Sequence, residues 1–248
     1  VMGVTKPTDG SPALLTLDEV TTMFHEFGHA LHGLLSDVRY PTFSGTNVPR
    51  DYVEFPSQIN ENWALDPAVL RNYARHIDTG EPLPSELIDA ITASRQFGQG
   101  FATSEYLAAA IIDMAWHSLS SEEAAGVSDV HAFEEAALQD AGLVVEHLKP
   151  RYQSTYFNHI FGGGYSAGYY SYLWAEALDA DGFDWFTETG AAGPGASGEA
   201  ARAAGQRFRD LVLSRGGASD YAAAFESLRG RAKDVAPLLR RRGLGGAL

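Results

Sequence analysis

The run His25-Glu26-Phe27-Gly28-His29 carries residue types that could do metal chemistry. Two histidines four positions apart fall on the same face of an α-helix, roughly 6 Å apart along its axis, so both imidazoles could bind one metal ion. Glu26 lies about a quarter-turn round the helix and could reach a metal-bound water without being a ligand. This spacing is typical of zinc peptidases, and it predicts His25 and His29 as zinc ligands and Glu26 as the general base.

A surface helix could carry these five residues by chance, and we estimate that roughly one chain in fifty of this size does so. The surrounding sequence favours a real site, because it predicts a long, capped and half-buried helix. Thr16 and Glu19 have the spacing of a capping box, with Thr16 at the N-cap and Glu19 at N3. Apolar residues then recur at helical spacing and predict a buried stripe of Val20, Phe24, Phe27, Leu31 and Leu34.

A catalytic zinc site usually has three protein ligands and one open position for water. A third histidine six positions after the second is excluded because Leu35 stands there, and we interpret His32 as a helix-face or outer-shell residue. The other known pattern takes a glutamate from a second helix downstream. Glu54 is the first candidate, since Pro56 fits a first helical turn and would put Glu54 at the start of that helix. Glu61 is the second candidate, or else an outer-shell carboxylate.

Several tyrosines crowd together behind three consecutive glycines, Gly162 to Gly164. A triple glycine without a following Lys-Ser or Lys-Thr is not a phosphate loop, so we exclude nucleotide binding. The glycines would let this segment approach a substrate backbone or move on binding. The tyrosines are Tyr165, Tyr169, Tyr170 and Tyr172.

Packing in the core or at an interface is the simplest interpretation of such aromatic residues, and we prefer it for Tyr170 and Trp174. The remaining tyrosines fit a chemical role better. Hydrolysis of a peptide passes through a tetrahedral intermediate with an oxyanion, and a neutral phenol is a suitable hydrogen-bond donor to that oxygen. We therefore expect some of these tyrosines to act on the substrate.

Three segments of the chain resemble one family. They are HEFGHALH from His25, DYVEFPSQINENW from Asp51 and HIFGGGYSAGYYSYLW from His159. They occur in the order and at nearly the spacing of the thimet oligopeptidase and peptidyl-dipeptidase family of zinc peptidases, and the likeness extends to about residue 187. The resemblance implies a helical, zincin-type catalytic region with His25, His29 and Glu54 as zinc ligands, which agrees with the ranking above.

The same resemblance implies roles for the third segment. His159 and Tyr172 match positions that stabilise the tetrahedral intermediate, while Tyr165 and Tyr169 match tyrosines that face the substrate. The GGGY form, with one extra glycine, is more similar to the bacterial peptidyl-dipeptidases. We therefore expect release of C-terminal dipeptides from short peptides. Two alternatives stay open: an endo-acting oligopeptidase, and a non-catalytic zinc-binding fragment that needs its N-terminal part for activity.

Composition limits the kinds of partner. The chain has 248 residues, a formal net charge of -14 and no cysteine. The negative charge argues against nucleic acid and anionic membranes as partners, and the absence of cysteine excludes a disulfide scaffold and a thiol nucleophile. No apolar run is long enough to span a membrane. We expect short peptides as substrates and a cytoplasmic location.

The elements that must position these residues are predicted to be helices, and strand signals are almost absent. We therefore expect a mostly α-helical fold with at most a small β-hairpin in residues 36–50. Residues 190–205 are rich in glycine and alanine and predict a flexible loop, and Arg240 to Arg242 predict a solvated face. Beyond the zinc helix, we expect helices at 57–65, 67–77, 85–119 with a possible break at Gly98 or Gly100, 129–141, 207–215 and 221–229.

The resemblance also implies a domain organisation. Members of the family are considerably longer than this chain, which opens with Val1-Met2-Gly3 just before their zinc helix. We expect residues 1–248 to be the C-terminal, zinc-bearing catalytic region of a larger peptidase. The N-terminal part of the same enzyme would then be a partner of this region.

Overall fold

A computed structural model describes residues 2–4, 6–8 and 10–245 of the chain. Val1 and residues 246–248, the ends of the predicted catalytic region, lie outside the described residues. Regular structure in the described part is almost entirely helical, and its extended residues pair only in one isolated antiparallel bridge between Arg75 and Pro82. The prediction of a mostly α-helical fold is therefore confirmed. Within this part of the chain, no helix is both long and apolar enough to cross a membrane.

The chain divides into two compact units. The larger unit comprises residues 1–95 and 174–248, and the smaller unit comprises residues 96–173. Helices α6 to α9 belong to the smaller unit. In chain order the helices are α1 (Leu17–Leu34), α2 (Arg50–Val53), α3 (Phe55–Glu61), α4 (Pro67–Tyr73), α5 (Ser85–Ser94), α6 (Gln99–His117), α7 (Ser121–Gly126), α8 (Val130–Asp140), α9 (Asn158–Phe161), α10 (Ser171–Glu188), α11 (Gly198–Phe208), α12 (Tyr221–Arg229) and α13 (Ala236–Arg241).

Shorter helical turns connect these elements. A π-helical stretch over Arg209–Leu213 continues α11. Gly98 has a φ of +70° and separates α5 from α6, so the predicted stretch 85–119 is two helices. Glycine takes this left-handed conformation at little cost, which explains the break. The 3₁₀ turns are Pro41–Phe43, Asn62–Leu65, Ser154–Tyr156 and Gly216–Ala218.

Helix α1 begins as predicted but packs on a different face. The Thr16 hydroxyl accepts from the Glu19 N–H at 3.2 Å, and the Glu19 carboxylate accepts from the Thr16 N–H at 2.8 Å, so the capping box is formed. Of the predicted buried stripe, Phe27 is 55 % exposed and Leu34 is 76 % exposed. The prediction of a buried stripe was wrong at these two positions because α1 packs against α3 through Gly28. Glycine has no apolar side chain, so a pattern of apolar residues does not include it.

Helix α3 lies in the core of the larger unit. Phe55 and Ile59 of this helix are almost fully buried. The Phe55 ring contacts Phe208 at the end of α11 and Phe225 of α12, with ring centroids 5.8 Å and 5.7 Å away. Burial of one such side chain stabilises the fold by about 1.5–3 kcal/mol. The start of α3, where Glu54 lies, is therefore held by the hydrophobic core of this unit.

Two predicted loops differ from the structure. Residues 36–50 do not form the hairpin that the sequence left open; they contain the turn Pro41–Phe43, and α2 begins at Arg50. The predicted loop at 190–205 is shorter, since α11 begins at Gly198. The Ser197 hydroxyl accepts from the Ala200 N–H at 3.1 Å and caps that helix. Glycine content favoured a loop, but this cap and the alanines that follow favour a helix.

The arginines near the C-terminus are paired with acidic residues of α10. Arg241 lies 2.5 Å from Asp179, and Asn62 also donates to this buried carboxylate at 2.5 Å. Arg241 and Arg242 are partly buried in these pairs, so the prediction of a solvated face was wrong for them, whereas Arg240 is exposed as predicted. The other two pairs are Arg240 with Asp184 at 2.7 Å and Arg242 with Glu176 at 2.5 Å.

Candidate metal centre and tyrosine cluster

Helices α1 and α3 approach each other very closely at Gly28. A Cβ atom on Gly28 would lie 2.6 Å from the Ser57 Cα and 2.7 Å from the Pro56 carbonyl oxygen. Beside this contact, the Asn60 side-chain amide donates to the Phe24 carbonyl at 2.6 Å. The glycine of the HEFGH motif is therefore needed for packing, and it brings the histidines on either side of it next to the start of α3.

The structure brings together three side chains that could hold a metal ion: His25, His29 and Glu54. The Glu54 Oε2 lies 3.2 Å from the Nε2 of His25 and 3.2 Å from the Nε2 of His29. The candidate ligand atoms all lie within 4.8 Å of one another. Glu54 is buried, and it stands between α2 and α3 with Pro56 in the first turn of α3, as predicted. We call these three residues the metal group.

Neighbouring residues orient the metal group. The Glu61 Oε1 lies 2.7 Å from the Nδ1 of His25, which leaves the Nε2 of that ring directed to Glu54. The Ser57 hydroxyl donates to the Glu54 Oε2 at 3.0 Å. Such contacts fix the orientation of metal ligands and the tautomer of a histidine. Glu61 therefore has the outer position that the sequence left open as an alternative.

The two carboxylates also set the charge state of His25. Burial alone would lower the pKa of this imidazole, but the hydrogen bonds and charges of Glu54 and Glu61 outweigh it and raise the pKa to about 10. His32 is fully buried one turn after His29, and burial together with the neighbouring His29 lowers its pKa to about 4. His32 is thus a neutral residue outside the metal group.

The donor set fits a zinc ion. Two imidazole nitrogens and one carboxylate oxygen are the protein ligands of a common class of catalytic zinc site. The buried Glu54, held by Ser57, and the His25 ring, held by Glu61, supply the outer contacts that such ligands require. Glu26 follows His25 directly in α1 and is half-buried.

The other predicted site residues lie together in the smaller unit, and we call His159, Tyr165, Tyr169 and Tyr172 the tyrosine cluster. The Tyr165 and Tyr172 rings are stacked, with centroids 5.2 Å apart and planes 15° apart. Tyr169 lies 5.3 Å from Tyr172 and 5.6 Å from His159. The metal group and the tyrosine cluster thus belong to different compact units.

Burial distinguishes the members of this cluster. Tyr169 is only 4 % exposed, and burial, reinforced by Tyr152, raises the pKa of its phenol, so it stays a neutral donor. Tyr165, Tyr172 and His159 are half-buried. Burial lowers the pKa of His159, and the charge of Arg151 lowers it further, which keeps this imidazole neutral near pH 7.

Tyr170 and Trp174 do not lie in the core. Tyr170 is 40 % exposed and Trp174 is 46 % exposed, so neither is a core residue, and packing at an interface stays a prediction for both. The Lys233 ammonium lies 2.9 Å from the centroid of the Trp174 ring in the larger unit. An indole face attracts a cation in this geometry, which accounts for its partly exposed position.

The three glycines serve the local fold of the segment that carries the cluster. A Cβ atom on Gly163 would lie 2.9 Å from the Cα of His159, and Gly164 has a φ of +82°. The Tyr165 N–H donates to the His159 carbonyl at 2.9 Å. The chain therefore folds back tightly onto α9, a turn that side chains at these positions would prevent.

Sequence reasoning missed residues of α6 that contact this segment. Asp113 is fully buried, and its carboxylate accepts from the N–H groups of Ala167 and Tyr169. The Tyr106 hydroxyl donates to the Tyr169 carbonyl. A signal was present, since Asp113 follows an apolar run of α6 where a carboxylate needs a partner.

Comparison with known proteins adds the family. A model of peptidase family M3 matches residues 1–244. A dipeptidyl carboxypeptidase from Salmonella typhimurium is 49 % identical over 96 % of this chain, and one from Escherichia coli is 48 % identical over 96 %. Oligopeptidase A from Salmonella typhimurium is 38 % identical over 97 % of the chain.

These alignments cover 34 % of each relative, so the chain spans about a third of the length of the curated relatives it matches. The family match extends over nearly the whole chain and includes the metal group and the tyrosine cluster. The chain therefore belongs to peptidase family M3, a family of metallopeptidases.

Proposed function

We propose that this chain is the zinc-bearing catalytic region of a peptidase that releases C-terminal dipeptides from short peptides. The observation that carries the proposal is the metal group, in which one Glu54 oxygen lies 3.2 Å from both histidine Nε2 atoms. Similarity to two dipeptidyl carboxypeptidases supports the mode of cleavage. The N-terminal part of the longer protein is proposed to complete the substrate channel, and a cytoplasmic location stays a prediction.

In this proposal His25, His29 and Glu54 hold the zinc ion. Bound zinc lowers the pKa of a coordinated water toward neutrality and polarises a peptide carbonyl. Ser57 and Glu61 keep two of the ligands in orientation through their hydrogen bonds to Glu54 and His25. Because these hydrogen bonds already hold Glu54 and His25 in place, the ligands need no large rearrangement to bind the ion.

The remaining proposed roles belong to residues that move protons or donate hydrogen bonds. Glu26 would take a proton from the attacking water and deliver it to the leaving amine. Tyr172 and His159 would donate hydrogen bonds to the oxyanion, for which a neutral phenol and a neutral imidazole are suitable. Tyr165 and Tyr169 would bind the substrate, although Tyr169 is only 4 % exposed.

The metal assignment is tested by zinc content. We expect one zinc ion per chain in the wild type and a large loss in Glu54→Ala, because one of three ligands is removed. Glu61→Ala should bind zinc about 10–100-fold more weakly but still fill at saturating zinc, since it acts on the ligand His25. Metal analysis after gel filtration, with zinc competition for affinity, measures both. Equal zinc in the wild type and Glu54→Ala would contradict the assignment.

The catalytic assignment is tested by Glu26→Gln. We expect this variant to keep its zinc and to lose nearly all turnover, because the amide cannot accept the proton of the water. The assay uses the full-length protein, with zinc content measured on the same preparation. Loss of zinc from Glu26→Gln would show that Glu26 is a ligand or a structural residue, and the proposed mechanism would then be wrong.

A second function is favoured by one observation. The chain is also 38 % identical to oligopeptidase A, so internal cleavage of short peptides is the alternative mode. The two modes differ in whether the free carboxylate of the substrate is recognised. The other alternative is a zinc-binding fragment that needs its N-terminal part for activity. Such a fragment would bind zinc but would not cleave peptides by itself.

A further inference from the structure

Asp113 is a buried carboxylate with no part in the proposed chemistry. It lies in α6 of the smaller unit and is 0 % exposed. Its Oδ1 accepts from the Ala167 N–H at 2.9 Å, and its Oδ2 accepts from the Tyr169 N–H at 2.8 Å. The His117 Nδ1 lies 2.8 Å from the Oδ1. A buried carboxylate is stable only when its oxygens have such donors, so this contact is a specific one.

The backbone that Asp113 binds is in a conformation that alanine rarely adopts. Ala167 has a φ of +53°, in the left-handed region where a Cβ atom is unfavourable. A non-glycine residue stays in this region only where its surroundings hold it there. The two N–H groups bound by Asp113 belong to Ala167 itself and to the residue two positions later, so the carboxylate clamps this bend.

Tyr106 adds a second contact from the same helix. It lies two turns before Asp113, and its hydroxyl donates to the Tyr169 carbonyl and accepts from the Leu173 N–H at 3.3 Å. Its ring stacks on that of Tyr169, with centroids 5.3 Å apart. Helix α6 therefore binds backbone groups of Ala167, Tyr169 and Leu173, before and after Tyr172.

We propose that Asp113 is a positioning residue for the tyrosine cluster: by binding the N–H groups of Ala167 and Tyr169 it fixes the bend that sets Tyr165 against Tyr172. Asp113 itself contacts no substrate. The inference rests on the proposed function, in which these tyrosines act on the peptide. A carboxylate that served stability alone would leave their arrangement, and hence turnover, unchanged in the folded protein.

The test compares Asp113→Asn with a matched control in the full-length protein. Asparagine has the same shape, but its NH₂ group cannot accept, so one of the two backbone donors loses its partner. We expect kcat/KM to fall about tenfold or more, mainly through kcat, with zinc content unchanged. The control is Glu134→Gln, because Glu134 is also buried in this unit but accepts from the N–H of Ser154, which lies outside the segment 165–172. Its kcat/KM should stay within about twofold of the wild type.

Two further measurements separate positioning from general stability. Amide hydrogen exchange at residues 165–172 should become faster in Asp113→Asn but not in Glu134→Gln. Ala167→Gly should restore part of the lost kcat in the Asp113→Asn background, since glycine takes a positive φ freely. If Asp113→Asn does not fold, Tyr106→Phe removes the second contact and should show the same effects to a smaller extent.

Each outcome of these measurements either supports or contradicts the role proposed for Asp113. Unchanged exchange at residues 165–172 would overturn the claim that Asp113 holds this segment. Faster exchange with unchanged kcat/KM would overturn its role in positioning for catalysis. The exchange measurement needs no turnover, so an inactive, zinc-loaded wild type would count against the proposed function alone, while exchange would still decide whether Asp113 fixes the bend.

Discussion

At the scale of single residues, Gly28 determines how closely the two helices of the metal group approach. Its hydrogen atom faces the Ser57 Cα, which a Cβ atom would meet at 2.6 Å. Because the Ser57 Cα is a backbone atom, it cannot move away by a change of rotamer, as the end of a flexible side chain could. Any side chain at this position must therefore push α1 away from α3 and separate the histidines from Glu54.

We expect Gly28→Ala to destabilise the fold by about 1–3 kcal/mol and to weaken zinc binding. The matched control is Gly33→Ala in the same helix, where a Cβ atom would meet nothing within 4 Å. Alanine there should stabilise by about 0.5–1 kcal/mol through its better helix propensity. Urea denaturation and zinc competition measure both effects. Equal stabilities of the two variants would contradict the close packing at Gly28.

The spacing of residues along the chain pointed to the metal group, with Glu54 ranked before Glu61. It did not indicate the role of Asp113. His25, His29 and Glu54 were chosen from a motif within one helix and a glutamate placed at the start of the next. Asp113 binds backbone N–H groups that lie 54 and 56 positions later. Every residue except proline has such a donor, so nothing in the sequence marks the two that are used.

At the scale of elements, α10 holds the C-terminal segments through its acidic residues. Asp181 is fully buried and lies 2.7 Å from the Arg229 Nε and 2.6 Å from an Arg231 nitrogen. The Asp234 N–H donates to it at 2.8 Å. Donors from three residues, the last residue of α12 and two that follow it, therefore converge on a single carboxylate of α10.

This carboxylate predicts a dependence of stability on pH. Burial alone would raise the pKa of Asp181, but hydrogen bonds from Arg231 and Arg229 and from the Asp234 N–H lower it below the ordinary value of 3.8. Because the folded-state pKa is the lower one, the stabilisation is present above pH 3.8 and is lost as the pH falls through the folded-state pKa. The wild type should therefore lose this contribution in acid.

We expect Asp181→Asn to be about 3 kcal/mol less stable than the wild type at neutral pH, and the difference to shrink as the pH falls below 4. Asp184→Asn is the control, because its pair with Arg240 is exposed and should contribute less than about 1 kcal/mol. Chemical denaturation across the pH range measures both. A constant difference between Asp181→Asn and the wild type at all pH values would contradict the prediction.

Predictions for elements succeeded where the signal was local. Thr16 and Glu19 cap α1 within one turn, and Gly98 ends a helical stretch by its own conformation. Arg241 and Arg242 were misinterpreted because their partners lie 62 and 66 positions earlier in α10. A run of charged residues has the same sequence whether its side chains are solvated or are paired with carboxylates from a distant part of the chain.

At the scale of the whole molecule, the mode of cleavage depends on recognition of the substrate's end. An enzyme that releases dipeptides must bind the free C-terminal carboxylate at a fixed distance from the metal, most simply by a cationic or phenolic donor. An endo-acting enzyme has no such requirement. The relatives include both a dipeptidyl carboxypeptidase and an oligopeptidase, so the distinction needs an experiment.

We expect amidation of the C-terminus of a short peptide to reduce kcat/KM about tenfold or more, because a charge-assisted hydrogen bond is lost. The same peptide with an acetylated N-terminus is the control and should be cleaved about as fast as the free peptide. Mass spectrometry of the products should show dipeptides removed in sequence from the C-terminal end. Equal cleavage of amidated and free peptides at internal bonds would favour the oligopeptidase mode.

The metal group and its outer contacts come from a single stretch, residues 25–61, which runs from α1 through α2 to the end of α3. Contacts this near along a chain form early in folding, because closing a short loop costs little entropy. The tyrosine cluster needs partners much further apart, from Asp113 to Tyr172. During synthesis, a chain that has emerged only to residue 61 already contains the three ligands proposed for its metal, whereas the tyrosine cluster is made about a hundred residues later, from His159 onward.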